Sequence, residues 1–302
     1  MPKIWEKHRG YKVARAYADF ITRTCFRSLR VEGLENIPRD SAVLLAPNHC
    51  ATLMDPLLQM QIPGPIGFGA RSDIFKNPKT ARLLRWMRIV PLARERNGLA
   101  EVAKNFEVFK EIIDCLDHGM PFCMYAEGTH HPAPGMLPVK KGLFRIAKMA
   151  SDQLGKPIYI VPIGSNYEDF YRGQTRVRMR IGEPMEIARE FARREGKTEA
   201  EIYHELCEQL RERDLALIGG PIPRRQGPKA LRVAGAVLSL PLFAVCAAGA
   251  LPIWLPYLLI MRGMQDKAWA HTVRFGLHFA LPLFIPFHIG FERLVNFYRN
   301  LF

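Results

Sequence analysis

The sequence predicts an α/β fold: a mostly parallel sheet flanked by helices, with a basic amphipathic N-terminal helix and a C-terminal hydrophobic helical hairpin. Three observations predict it. Short apolar runs alternate with amphipathic segments between residues 41 and 218, basic and apolar residues interleave over residues 3–30, and residues 233–261 carry no charge.

Six short apolar runs are predicted strands, and three longer amphipathic segments are predicted helices. The strands cover residues 41–47, 66–70, 88–93, 122–127, 158–164 and 176–182. The helices cover 99–116, 143–154 and a segment after Thr198, whose hydroxyl suits an N-cap. Strands separated by helices favour parallel pairing, because a parallel connection needs a crossover.

The N-terminal segment combines an apolar face with many basic side chains. Ile4, Tyr11, Ala14, Tyr17, Ile21, Cys25 and Leu29 recur at helical spacing. Eight Lys and Arg residues lie around them between residues 3 and 30. A basic amphipathic helix suits a membrane interface, although a helix packed on the core shows the same periodicity.

The C-terminal region, residues 220–302, is predicted to be a membrane-associated hairpin that follows a catalytic domain of residues 1–219. Of its two uncharged runs, 233–261 is long enough to span a bilayer and 275–291 is marginal. Arg262, Lys267 and Arg274 lie between the runs and would be translocated if both crossed. Because this opposes the positive-inside tendency, an in-plane or re-entrant hairpin is favoured. The alternative is a buried hairpin of a soluble domain.

Charge and cysteine content indicate partners and location. The 302 residues carry a net charge of +14, which favours an anionic membrane surface or nucleic acid. The basic residues do not interleave with aromatic ones as a stacking groove needs, so nucleic acid is not expected. Six scattered cysteines without a C-x-x-C motif predict reduced thiols in a protein that faces the cytoplasm.

The segment "PNHCATLMDP" holds the strongest candidates for chemistry. His49 follows a predicted strand, and a neutral imidazole can accept a proton near neutral pH. Asp55 could orient it, but only if the residues between them form a loop, because positions six apart diverge on a helix. Asp55-Pro56 predicts that the next helix begins at Pro56, with Asp55 as its cap. Cys50 could be a nucleophile, but adjacent side chains on an extended chain point apart.

Four blocks carry a family resemblance: "PNHCATLMDP", "IVPLAR", "YAEGTHHP" and "YIVPIG". In order and spacing, from about residue 30 to 190, they resemble the glycerolipid acyltransferases, which include the lysophosphatidate and glycerol-3-phosphate acyltransferases. The resemblance implies acyl transfer in phospholipid biosynthesis, from acyl-CoA or acyl carrier protein as donor substrate to a lysophosphatidate-like acceptor. It implies neither a cofactor nor a metal.

The resemblance also implies roles for single residues. His49 would be the general base and Asp55 its orienting carboxylate. Arg94 would bind the acceptor phosphate, amid the basic residues Lys76, Lys79, Arg82, Arg85, Arg88 and Arg96. Glu127, Gly128 and Thr129 would lie in the acceptor site, where Glu127 could accept from a glycerol hydroxyl. Pro162 would shape the end of its strand.

The sequence departs from the family pattern twice. Five residues instead of four separate His49 from Asp55, and His130 stands where Arg usually follows Glu-Gly-Thr. The alternatives are therefore another acceptor, either glycerol 3-phosphate or a different lyso-lipid, or an inactive protein that binds lipid surfaces.

Overall fold

A computed structural model describes residues 3–93, 105–222 and 228–301. Its strands are β1 (Ser28–Glu32), β2 (Ala42–Pro47), β3 (Gly67–Arg71), β4 (Ile89–Leu92), β5 (Phe122–Cys123), β6 (Ile158–Tyr167), β7 (Arg176–Ile181) and β8 (Met185–Glu186). Its helices are α1 (Tyr11–Thr24), α2 (Met54–Gln59), α3 (Pro78–Trp86), α4 (Asn105–Asp117), α5 (Gly142–Leu154), α6 (Ile187–Ala192), α7 (Glu199–Ile218), α8 (Lys229–Leu238), α9 (Leu240–Gly263), α10 (Ala270–Ala280) and α11 (Ile285–Arg299).

The strands form one mostly parallel sheet in the order β1-β7-β6-β2-β5-β3-β4. Strand β6 is central: it pairs in parallel with β2 and antiparallel with β7 and β8. The remaining neighbours are parallel, so the predicted fold class is confirmed. The carboxyl ends of β5, β2 and β6 therefore lie side by side at one edge of the sheet.

Alternate residues of the strands enter two cores, as the period of two requires. Leu44, Phe122 and Ile160 pack on one face against helices α4, α5 and α7. Leu45 and Val161 pack on the other face. A third apolar cluster lies at the carboxyl edge, where Cys25, Phe26, Cys50, Ala51, Met54, Leu57, Leu58, Tyr167 and Val177 meet, with Phe275 packed against them. It joins α1 and α2 to α10.

Two predicted strands differ in length from those observed by more than two residues. Strand β5 ends at Cys123, and the chain then turns, with the Gly128 N–H donating to the Tyr125 carbonyl at 3.1 Å. Strand β6 continues to Tyr167, so Pro162 lies inside the strand, near the point where its neighbour changes from β8 to β7. The prediction that Pro162 shapes a strand end is therefore wrong.

The N-terminal segment is helical only in part. Helix α1 begins after Gly10, whose φ of 75° ends the preceding turns, and residue Leu29 belongs to β1. Arg88 is buried and donates to the carbonyls of Ile4 and Glu6, so it fastens this segment to the sheet. Arg88, one of the basic residues expected around the phosphate-binding Arg94, is thus a buried structural residue.

The C-terminal region is a set of bent helices. The first uncharged run divides at Ser239 into α8 and α9, and α9 is long and apolar enough to cross a membrane by length and composition. Segments Lys267–Ala280 and Pro282–Arg299 meet at an angle of 108°. Prolines 241 and 286 lie in the first turns of α9 and α11, whereas prolines 252 and 256 lie inside α9.

Candidate active site

Three neighbouring strands bring the candidate residues together. His49 follows β2, Glu127 follows β5, and Tyr167 ends β6. Because the pairs β2–β5 and β2–β6 are parallel, the three side chains reach the same edge of the sheet. This edge is where ligands bind in open α/β sheets.

His49 and Asp55 form a direct hydrogen bond, with 2.7 Å between the His49 Nδ1 and the Asp55 Oδ2 atoms. Asp55 is fully buried, whereas 18% of the His49 side chain is exposed. A carboxylate acceptor fixes the proton on Nδ1, so Nε2 keeps its lone pair. The His49 ring stacks on Tyr125 at 4.3 Å between ring centroids. The pair thus presents a proton acceptor at the sheet edge.

The loop between the two residues contains a residue in the left-handed conformation. Thr52 has a φ of 49°, a conformation that costs a β-branched residue energy. Helix α2 then begins at Met54 instead of Pro56, so Asp55 lies in its first turn and is not its cap. The predicted cap is therefore wrong.

Asp55 accepts hydrogen bonds through both of its oxygens. Besides His49, its Oδ2 accepts from the backbone N–H groups of Cys50 at 2.8 Å and Ala51 at 2.7 Å. Its Oδ1 accepts from the Tyr167 hydroxyl at 2.6 Å. A buried carboxylate without such donors would be strongly destabilising. Sequence analysis missed Tyr167, because nothing local in the sequence relates it to Asp55.

The residues on either side of His49 have structural partners. The Asn48 side chain donates to the Ser165 carbonyl at 3.1 Å and accepts from the Ser165 N–H at 2.7 Å, which extends the β2–β6 pairing. Cys50 is buried, and burial followed by the charges of Asp55 and Glu127 raises the pKa of its thiol. A thiol held protonated is a poor nucleophile, which disfavours the Cys50 alternative.

The Glu127 carboxylate accepts hydrogen bonds from main-chain N–H groups. One carboxylate oxygen accepts from the His49 N–H and the other from the Leu137 N–H, each at 2.6 Å. Only 3% of the residue is exposed. Burial raises the pKa of Glu127 to about 7, although both N–H donors act to lower it. The sequence suggested that Glu127 accepts from a glycerol hydroxyl, whereas its partners here are main-chain groups that join the His49 and Leu137 loops.

Of the other predicted binding residues, the structure describes Gly128 and Thr129 but not Arg94. Gly128 is exposed and has a φ of 73°, a region that favours glycine. Thr129 is also exposed and is next in the same turn. Arg94 and Arg96 lie outside the described residues. Arg85, another of the basic residues expected around Arg94, donates to the Glu111 carboxylate at 2.7 Å, so its charge is partly neutralised.

Residues of the C-terminal region that the sequence did not predict to be near the site also contact it. Asp266 accepts from His130 Nε2 at 2.6 Å, and the His130 ring lies 5.7 Å from the His49 ring. The Thr272 and Thr52 hydroxyls share a hydrogen bond of 2.8 Å. Burial acts to raise the pKa of Asp266, but the Ala268 N–H and His130 outweigh it and lower that pKa.

A partly exposed histidine that a buried carboxylate orients, at the carboxyl edge of a mostly parallel sheet, is an arrangement suited to general base catalysis of group transfer. The Acyltransferase family model matches residues 28–166, which contain His49, Asp55 and Glu127. Together with the four sequence blocks, this match supports assignment of the chain to the glycerolipid acyltransferase family.

The solved structure of the 1-acyl-sn-glycerophosphate (LPA) acyltransferase PlsC from Thermotoga maritima is similar, with 24% identity and a TM-score of 0.47. The similarity covers 72% of this chain and 86% of that chain. Comparison with curated proteins gives no match.

Proposed function

We propose that the protein is a membrane-associated O-acyltransferase that transfers a fatty acyl group from an acyl thioester to the hydroxyl of a lysophosphatidate-type acceptor. The observation that carries the proposal is the His49–Asp55 hydrogen bond, in which a fully buried carboxylate fixes a partly exposed imidazole. The family supplies the reaction type, because acyl transfer is what the matched domain is named for.

The chemistry proceeds without a covalent enzyme intermediate. His49 Nε2 removes the proton from the acceptor hydroxyl as its oxygen attacks the thioester carbonyl. The tetrahedral adduct then expels the thiolate, which takes the proton from His49, so the products are an ester and a free thiol. Asp55 stabilises the imidazolium between the two steps, and its own hydrogen-bond donors hold it in place.

The acceptor is proposed to lie over the turn formed by residues 127–130. The space beside the Gly128 Cα, where a Cβ would lie, is open to 4 Å, so backbone and acceptor can approach closely there. The Thr129 hydroxyl could bond the glycerol moiety, and Arg94 the phosphate through its guanidinium fork. No cofactor takes part in this scheme, and the donor is acyl-CoA or acyl carrier protein.

The proposed location is a membrane surface, with the catalytic residues on the cytoplasmic side. One apolar helix and many exposed leucines support the membrane part. Six free cysteines, all buried, fit a reducing compartment. The anionic lipid surface would complement the net charge of +14.

The test is an acyl-transfer assay with purified protein in detergent or liposomes. Both thioester carriers are offered against lysophosphatidate, glycerol 3-phosphate and other lyso-lipids. We expect transfer to lysophosphatidate that His49→Ala abolishes and that the exposed His204→Ala leaves unchanged. Liposome binding without transfer to any acceptor would instead identify a lipid-surface binding protein.

A further inference from the structure

Helices α10 and α11 are fastened to the catalytic domain along their length. On α10, His271 Nε2 bonds the Asp169 carbonyl at 3.0 Å, and Arg274 donates to the Tyr171 carbonyl at 2.7 Å. Near its end, the His278 Nδ1 bonds the Thr24 hydroxyl of α1 at 2.8 Å. These contacts join the first, middle and last turns of α10 to the catalytic domain.

Helix α11 has similar contacts with the same loop. Arg293 donates to the Gln174 side chain and Asn296 to the Gly173 carbonyl, each at 2.9 Å. Arg274 of α10 also donates to Glu292 of α11 at 2.6 Å, with both side chains almost buried. Breaking a buried pair of this kind is costly, so α10 and α11 stay together. Their hydrogen bonds to residues 169, 171, 173 and 174 hold both helices on this loop.

The residues that flank α9 contact α11 at one end and the catalytic domain at the other. At its start, the Ser239 and Tyr298 hydroxyls bond at 2.9 Å, and Tyr298 belongs to α11. Beyond its end, Asp266 bonds His130 beside the candidate active site at 2.6 Å. A helix of 24 residues is about 36 Å long, enough to cross a bilayer. A helix that crosses, however, must place its two ends on opposite sides.

The outward side of these helices is apolar and continuous with α1. Rings of Tyr17 and Phe279 lie 4.7 Å apart, which joins α1 to the end of α10. We call the exposed apolar side chains of α1 and the C-terminal helices the apolar face. It comprises Val13, Phe20, Leu231, Val233, Val237, Leu238, Leu240, Leu242, Val245, Leu251, Leu255, Leu258, Leu259, Ile260, Phe279, Leu283 and Phe287.

We propose that the apolar face enters a single lipid leaflet and that no helix within residues 228–301 crosses the bilayer. The contacts at both ends of α9 hold them on the side of the catalytic domain, whereas its exposed leucines require a lipid environment. Arg232, Arg262, Lys267 and Arg299 lie near the helix ends, where they can reach anionic headgroups. The inference rests on the proposed membrane association and adds its geometry.

Labelling with a membrane-impermeant maleimide tests the geometry. Exposed Gln265 follows α9, exposed Asn300 follows α11, and exposed Glu195 lies in the catalytic domain. In sealed membrane vesicles of known orientation, we expect Gln265→Cys and Asn300→Cys to react wherever Glu195→Cys reacts. Protection of either position in that orientation, with reaction after detergent is added, would show a crossing. The wild-type chain, whose cysteines are buried, sets the background.

Flotation with liposomes tests the surface. Replacing a leucine that lies in lipid by a charged residue should weaken partitioning roughly tenfold or more, so we expect this of Leu242→Glu and Leu259→Glu. The matched control Leu34→Glu replaces an exposed leucine outside the apolar face and should float like the wild type. Equal loss in the control would contradict the assignment of this face. Acyl transfer to a short-chain soluble acceptor, measured in parallel, tests the proposed reaction separately.

Discussion

At the scale of single residues, the site depends on how the Asp55 carboxylate is satisfied. Four donors converge on it, and only Tyr167 comes from a distant part of the chain. The two backbone donors and His49 belong to the loop that Asp55 closes. Tyr167 therefore fixes this loop relative to β6, and so to the sheet.

Tyr167→Phe should lower kcat about tenfold and leave the KM for the acceptor nearly unchanged. The substitution removes one hydrogen bond to a buried charge, which is worth about 1.5–3 kcal/mol, without removing any ring atoms. Steady-state kinetics measure kcat and KM, and urea unfolding in detergent measures the loss of stability. The control Tyr171→Phe changes an exposed ring and should behave like the wild type. A raised KM with unchanged kcat would assign Tyr167 to substrate binding instead.

Glu127 should make stability depend on pH. A glutamate with an ordinary pKa of 4.5 in the unfolded chain and about 7 in the folded one binds more protons when folded between these values. Its contribution is thus complete below pH 4.5 and is lost as pH rises through about 7. The shift corresponds to about 3 kcal/mol.

Urea unfolding of wild type and Glu127→Gln at pH 5 and pH 8 measures this dependence. We expect the change in unfolding free energy from pH 5 to pH 8 to be about 3 kcal/mol more unfavourable in the wild type than in Glu127→Gln, because the amide does not titrate. Exposed Glu212→Gln is the control and should keep the wild-type dependence. The same change in unfolding free energy in Glu127→Gln as in the wild type would contradict a raised pKa of Glu127.

At the scale of elements, the sequence predicts well what local patterns determine. Thr198 caps α7 as predicted, in a capping box with Glu201, and α5 ends before Gly155, whose φ is 59°. Strand β5 was predicted too long because the apolar residues Tyr125 and Ala126 fit a strand pattern, whereas Tyr125 stacks on His49 and Ala126 packs in the core. The start of α2 was also wrong, because the buried bonds of Asp55 outweigh the capping preference that Asp-Pro carries.

The loop of residues 50–53 shows why some residues that contact the site could not be predicted from the sequence. Local spacing indicates that a loop is needed, but its support comes from Thr272, 220 residues further along the chain. Tyr167 and Asp266 likewise contact the site only after the sheet and the C-terminal helices have formed. Contacts of this kind have no period or motif in the sequence.

Thr272→Val should loosen this loop. The shape is kept, but the Thr52 hydroxyl, in a residue 5% exposed, loses its partner, which costs about 1–3 kcal/mol. We expect kcat to fall several-fold, because the His49–Asp55 geometry depends on the loop, and unfolding to occur at a lower urea concentration. Thr80→Val, at an exposed position of α3, is the control. Unchanged kcat with lowered stability would show that Thr272 acts on the fold alone.

At the scale of the whole molecule, the C-terminal helices and the catalytic sheet meet at the site. Phe275 packs on the cluster that contains Cys50 and Met54, and Asp266 bonds His130. The domain division predicted from composition, 1–219 and 220–302, places these residues in separate domains. Its test is whether the first part folds and works without the second.

A chain of residues 1–219 should lose acyl transfer and unfold at a lower urea concentration than the full chain. Removing the C-terminal helices exposes the apolar cluster at the carboxyl edge and leaves Thr52 and His130 without the partners described above, so burial and loop support are lost together. The double variant Asp266→Asn with Thr272→Val separates the two losses, because it keeps the helices and removes only the polar contacts. We expect it to bind liposomes like the full chain but to turn over substrate more slowly. Wild-type turnover of a soluble acceptor by residues 1–219 would instead establish two independent domains, with the C-terminal helices serving only to hold the enzyme on lipid.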